Sequence, residues 1–288
     1  MKLLKVLSLS LVVLSSAYGE PATTGEKSYQ LVSEKPEVMP GLKLTVTESM
    51  TMEGGKFTME MPEGPMEGAL DQESLKVVSV AHETASKIKA TITSSKAEQT
   101  MSMNGQAMPQ PPQEMPLIDV PLAITLTEGT WKAQREDGEE ADMLAQVELA
   151  NIERLVSGVE DENVYGTEPR KPGDTWTVDA REMSMVDASD DVEGSVKMKF
   201  DQVAEHEGIE CAFLTGEITM NGSPPGADEA GGGKIELSGT FKIIRSLEHR
   251  MDLSRTMNGN MKIEMKTPIG MMKMAGPVVM KKTVEIVD

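Results

Sequence analysis

The sequence predicts a mainly β protein: a strongly curved antiparallel sheet, as a half-barrel or closed into a barrel, with one central helix. Three observations carry this reading. Apolar residues recur at every second position through most of the chain, the period of a half-buried strand. Segments rich in Gly, Pro and Asn separate these runs at short intervals. One stretch, 139–156, switches to helical spacing.

Residues 1–19 come first and have the pattern of a cleavable signal peptide. Lys2 and Lys5 precede an apolar run from Val6 to Leu14, and Ala17-Tyr18-Gly19 supplies the small-residue exit before Glu20. The run falls short of the roughly 20 apolar residues that a membrane anchor needs, and no Cys follows it for lipid attachment. The expectation is an exported chain, periplasmic or extracellular, with no membrane span after cleavage. Residues 20–41, rich in Pro, Glu and Thr, read as an N-terminal tether with a short strand at Tyr29–Val32.

Alternation begins at Leu42. Leu42, Leu44, Val46, Glu48, Met50 and Met52 share one face, and Glu53-Gly54-Gly55-Lys56 reads as a tight turn returning through Phe57, Met59 and Met61. Strands follow at Leu75–Val80, Lys87–Thr93, Gln99–Met103 and Pro121–Thr127. Asp137 is placed to cap a helix, with Glu140 three residues on. Met143, Leu144, Val147, Ala150 and Leu155 give the apolar stripe, so one amphipathic helix is expected over 139–156, closed by Gly158 and Glu160-Asp161-Glu162. Beyond it, Trp176–Val178, Val196–Phe200, Ile209–Phe213 with a bulge near Leu214, Ile235–Ile243, Leu247–Met257, Met261–Met265 and Val278–Ile286 read as strands.

Residues 42–288 are read as a single β-rich domain. A division into two similar halves, 42–136 and 166–288, joined by the helix, stays open beside it. Met-[Asn/Glu]-Gly recurs at 52–54, 103–105, 220–222 and 257–259, and SMTMEG (49–54) resembles SRTMNG (254–259). Recurrent turn chemistry explains the same pattern equally well.

Composition narrows the function. The net charge is −19, and loss of the leader removes two lysines and no acid. A chain this acidic repels phosphate backbones, which argues against nucleic-acid binding. The single cysteine, Cys211, allows no disulfide within the chain and sits between Ile209 and Phe213 as a buried thiol. The core must be built from 24 methionines and only nine aromatic residues, which makes it adaptable. No nucleophile elbow, zinc-binding His-Glu-x-x-His or phosphate-cradling loop is present, His82, His206 and His249 are scattered, and the sequence gives no catalytic residue, metal ligand or cofactor site. The acidic run Asp187–Glu193 lacks the spacing of a calcium loop and reads as a solvated turn.

Two groups of residues stand out. Met50, Met52, Met59, Met257, Met261 and Ile263 lie on apolar strand faces and are candidate ligand-lining positions, expected to face the helix. Met-x-Met pairs place two thioethers on one strand face, which also leaves a copper-handling role open. Pro172, Gly173 and Asp174 set a turn, with Asp174 bonding a backbone amide and Trp176 opening the next strand into the core.

The element Pro169-x-x-Pro172-Gly173-Asp174-x-Trp176, after a central helix, resembles exported bacterial families of uncharacterised function, whose architecture is similar to the lipoprotein-carrier (LolA-like) half-barrel. The motif covers eight residues. The resemblance implies a carrier fold and assigns no functional role to the motif residues. The leading expectation is a non-enzymatic binding or carrier module for an apolar or amphipathic ligand. A structural or envelope-interaction protein with a solid core is the alternative, and a periplasmic copper-handling protein the third. The leader is directly testable: N-terminal sequencing of exported protein is expected to begin at Glu20, or failing that at Tyr18, and a retained Met1 would contradict it.

Overall fold

The computed structural model describes residues 27–32, 39–61, 64–103, 106–108, 116–157, 159–183, 192–223, 232–267 and 270–287. The leader expected over 1–19, most of the acidic run Asp187–Glu193, Gly158 and the Asn104-Gly105 turn lie outside these residues.

Twelve strands form one sheet. The first half contributes β1 (Lys43–Met61), β2 (Gly64–Thr84), β3 (Lys87–Met103), β4 (Gln106–Met108), β5 (Pro121–Thr127) and β6 (Thr130–Arg135). Helices α1 (Met143–Ser157) and α2 (Val159–Tyr165) follow. The second half contributes β7 (Thr175–Asp179), β8 (Glu193–His206), β9 (Ile209–Gly222), β10 (Gly233–Ser246), β11 (Asp252–Thr267) and β12 (Gly270–Val287). The strand order is β6-β5-β3-β2-β1-β12-β11-β10-β9-β8-β7, with β4 beside β3. Each half is thus an antiparallel meander, and pairing of β1 with β12 fuses the two. Among the described residues β6 and β7 do not pair, so the sheet is open and the barrel alternative is not realised.

Several expected turns are strand interior. Gly54-Gly55 does not reverse the chain: β1 runs on to Met61 because β2 and β12 both continue to pair beyond it, and the extra residues appear as a register shift on each side. Gly54 takes φ +66°, while a Cβ on Gly55 would lie 2.9 Å from the Met52 sulfur. Asn258-Gly259 likewise lies inside β11, opposite Thr240 and Gly239, so the two strands expected over 247–265 are one. The bulge expected near Leu214 falls on its partner: the register shift lies between Phe200 and Gln202 of β8. Two cross-strand pairs set a Phe ring over a glycine, Phe57 over Gly68 and Phe241 over Gly216. A Cβ at either glycine would come within 2.3 Å of the ring.

The helix starts later than its sequence pattern indicates. Asp142, not Asp137, is the cap, its Oδ1 accepting from the Ala145 amide at 2.8 Å. Asp137 is taken by Arg135, at 2.6 Å. The buried stripe is also rotated from the expected one: Ala145 and Ile152 are buried, with Leu149 and Leu155 packed beside them. Met143, Leu144 and Val147 instead point outward, 80%, 54% and 55% exposed. Residues 160–162 do not end the helical region but lie within α2.

The inner face of the sheet carries two apolar cores. One gathers Leu44, Val46, Val78, Ile88, Ile124 and Trp131 under α1. The other gathers Met52, Phe57, Phe200, Phe241 and Met257 with Val164 and Tyr165 of α2. Leu31 and Val32 belong to this second core, so residues 27–32 of the segment read as a tether are docked there, through a two-way backbone bridge between Tyr29 and Arg170. No described helix is long and apolar enough to cross a membrane.

Candidate functional site

The two cores are separated by charge. Residues directly opposite on paired strands share a face. Glu48 on β1 lies opposite Lys76 of β2 and Lys282 of β12, Lys76 lies opposite Ser95 of β3, and Lys282 opposite Arg255 of β11. A polar row therefore crosses five neighbouring strands of an otherwise apolar face, between Val46 on one side and Met50 on the other. Above it lies a cleft of about 420 Å³. Its lining includes Met50, Met280, Ser74 and Ala97, five basic residues (Lys76, Lys96, Lys281, Lys282 and Arg255) and two acids, Glu48 and Glu148.

The charges in the row are unevenly matched. Lys76 is held at 2.5 Å by Glu148, which projects from α1 and ties the helix to the sheet. Among the described residues the carboxylate within ion-pair reach of Lys282 is Glu48, at 3.8 Å. Burial pushes the Lys282 ammonium below the usual lysine range; Glu48 opposes this and Arg255 adds to it. Arg255 bonds Asp252 at 2.7 Å through one terminal nitrogen, while its Nε is buried with no partner.

The row ends at a buried ionic cluster. Arg245 is fully buried and donates to the Leu31 carbonyl at 2.7 Å, to Asp252 and Asp161 at 2.6 Å each, and to the Arg250 carbonyl. Its guanidinium lies 4.2 Å from the centre of the Tyr165 ring, and the Tyr165 hydroxyl donates to Asp252 at 2.8 Å. Burial alone would push the Asp252 carboxyl up, but Arg255 and Arg245 outweigh it and hold the pKa at about 2. For Asp161 burial wins over Arg245, and its pKa is raised.

Beyond the cleft the inner face becomes a field of methionines. Met66, Met59, Met272 and Met265 stand in one cross-strand row over β2, β1, β12 and β11, each half-buried. The next row inward is Gly68, Phe57, Met274 and Ile263. The candidate lining residues divide accordingly. Met50, Met59 and Ile263 are half-buried on this face, whereas Met52, Met257 and Met261 are buried in the core. Of the expected apposition to the long helix, Met50 keeps a part, lining the cleft with Glu148 of α1; the apolar side of α1 itself packs on the other core. The sequence pattern contained the row in part, since Glu48 sits in phase with Leu44 and Met52. Met265 and Met272 show in the sequence only as a strand residue and as half of a Met-x-Met pair, and Met66 gives no local signal; their alignment in one row is set by cross-strand register, which is not visible locally.

The Pro-Gly-Asp-x-Trp element lies elsewhere. Gly173 takes φ +98°, its amide donates to the Phe200 carbonyl at 2.7 Å, and Asp174 accepts from the Lys171 amide at 2.8 Å. Pro172 sits in this turn. Trp176 is half-buried rather than central to the core; its Nε1 donates to the Val164 carbonyl at 2.8 Å and Arg170 covers its ring at 4.0 Å. Cys211 is buried, and burial raises its thiol pKa. Among the described residues no group of three or more His, Cys, Asp or Glu side chains is arranged to hold a metal ion.

Comparison with known proteins assigns no family: no family model and no curated protein matches the chain. Among solved structures, one of lipovitellin, titled for its lipid–protein interactions, is similar over 86% of this chain at 11% identity and a TM-score of 0.44. The chain spans about a quarter of that lipovitellin chain. The binding domain of botulinum neurotoxin DC, in complex with rat synaptotagmin II, aligns over 83% of this chain and 78% of its own at 7% identity, with a TM-score of 0.14.

The ionic cluster has a pH signature. Because Asp252 is held at about 2 against an ordinary 3.8, the stability it contributes is complete above 3.8 and is lost as pH falls through about 2. The shift corresponds to about 2 kcal/mol. Urea denaturation between pH 5 and pH 2 is expected to show this loss in the wild type. Asp252→Asn should be less stable by about 3–5 kcal/mol at pH 5, since it leaves buried arginine charge uncompensated, and should vary less with pH. Equal stability of the two proteins at pH 5 would contradict the assignment.

Proposed function

We propose that the protein is an exported, non-enzymatic binding or carrier module that holds an apolar or amphipathic ligand against the methionine-lined inner face of its sheet. One observation carries the reading: Met66, Met59, Met272 and Met265 form a half-buried row on the same face that elsewhere makes the core. A solid structural sheet has no need to leave such a row accessible. Methionine suits a surface that must adapt to a flexible guest, because its unbranched thioether repacks at little cost. The adjoining cleft offers volume, and burying a ligand's apolar surface there is worth about 25 cal/mol per Å². The Lys2–Gly19 leader pattern supports export.

A second reading, docking of an envelope protein, is favoured by the outward apolar side chains of α1, Met143, Leu144 and Val147. The neutral dye Nile red separates the two. On the carrier reading the native protein binds the dye with enhanced fluorescence, fatty acid displaces it, and Met59→Lys with Met272→Lys abolishes binding while Leu144→Ser leaves it intact. Failure of the folded wild type to bind the dye overturns the carrier reading. Loss of binding only in Leu144→Ser transfers the apolar site to α1, and displacement by Cu(I) but not by fatty acid points to a thioether metal site.

A further inference from the structure

We propose that the cleft is a head-group site, so that the ligand class is a single-chain amphiphile with an anionic head, a carboxylate or a phosphate, seated among Lys282, Arg255 and Lys76, with its tail running over Met50 and Met280 toward the methionine row. This rests on the carrier reading and sharpens it. Three cations, Lys76, Lys282 and Arg255, converge on the cleft's face of the sheet, in a chain where acids outnumber bases 47 to 28, while Lys96 and Lys281 stand one position out of phase with them. Lys282 and Arg255 stand directly opposite each other on paired strands, an arrangement of like charges that destabilises a sheet unless an anion lies between them. Their own acids do not complete the site: Glu48 stays 3.8 Å from Lys282, and the Arg255 Nε is buried without an acceptor. A bound carboxylate or phosphate oxygen would supply that acceptor and separate the two cations. Beside the charged margin the same face turns apolar at once: half-buried Met50 follows Glu48 on β1, and Met280 lies directly opposite it on β12, next to Lys282.

The test compares ligands with one tail and different heads. Palmitate, hexadecyl phosphate and hexadecanol displace Nile red from the full mature chain. The acid or the phosphate should compete roughly 10-fold or more better than the alcohol, the scale of one charge-assisted hydrogen bond. Which anion is preferred distinguishes a fatty-acid head from a phospholipid-type head. Lys282→Gln should remove most of that preference and leave hexadecanol unchanged. Should that variant lose cooperative unfolding, Lys76→Gln provides the same comparison. Equal competition by all three ligands, or a variant that weakens acid and alcohol alike, overturns the head-group site while the carrier reading stands. If none of the three displaces the dye, both fall.

Discussion

The arrangement of this protein depends on keeping the fully buried Arg245 guanidinium satisfied. A buried arginine cannot shed its proton, so its donors must all find acceptors. Here they reach the Leu31 carbonyl, Asp161 of α2, Asp252 of β11 and the Arg250 carbonyl. One side chain on β10 thereby docks the N-terminal segment, α2 and the start of β11 onto a single point of the sheet. Tyr165 closes the cluster by stacking on the guanidinium and donating to Asp252. With one buried cysteine and no disulfide available, such polar fastening is what fixes the covering segments in place. A buried ionic cluster adds little to net stability, but it selects one arrangement, since any other leaves charge without a partner.

The same charges shape the surface that the carrier reading uses. Arg255, tied to the cluster through Asp252, begins the polar row that divides the inner face. Below the row, branched aliphatic side chains pack under α1 into a conventional core. Above it, methionine joins branched aliphatic and aromatic side chains. Met52 and Met257 are fully enclosed there, while the row from Met66 to Met265 stays half-buried. Flexible thioethers among these side chains trade tight packing for adaptability. On the carrier reading, a charged margin beside a soft apolar floor suits an amphiphile.

The sequence made the strand faces legible because each strand has one half-buried side, and Pro121–Thr127 emerges with the expected bounds. It did not distinguish a bulge from a turn at Gly54-Gly55. Both need positive φ, and only the pairing of β2 and β12 beyond that point decides between them. The helix was visible but its phase was not: Met143, Leu144 and Val147 match helical spacing as well as Ala145, Leu149 and Ile152 do, and tertiary contact chooses the second set. Glu48 stood in plain view on an apolar face. Its meaning needed Lys76, Lys282 and Arg255 from three other strands, just as Arg245 needed Leu31, 214 residues away.

The central claim is that one row of methionines is both accessible and covered by ligand. Peroxide oxidation of the native protein, followed by peptide mass spectrometry, reads this directly, because thioethers oxidise according to their exposure. Met59, Met66, Met265 and Met272 are expected to oxidise well ahead of the enclosed Met52 and Met257, and saturating palmitate should slow those four while leaving the outward Met143 unchanged. Oxidation of the row no faster than that of the core, or rates in the row indifferent to ligand, would contradict it.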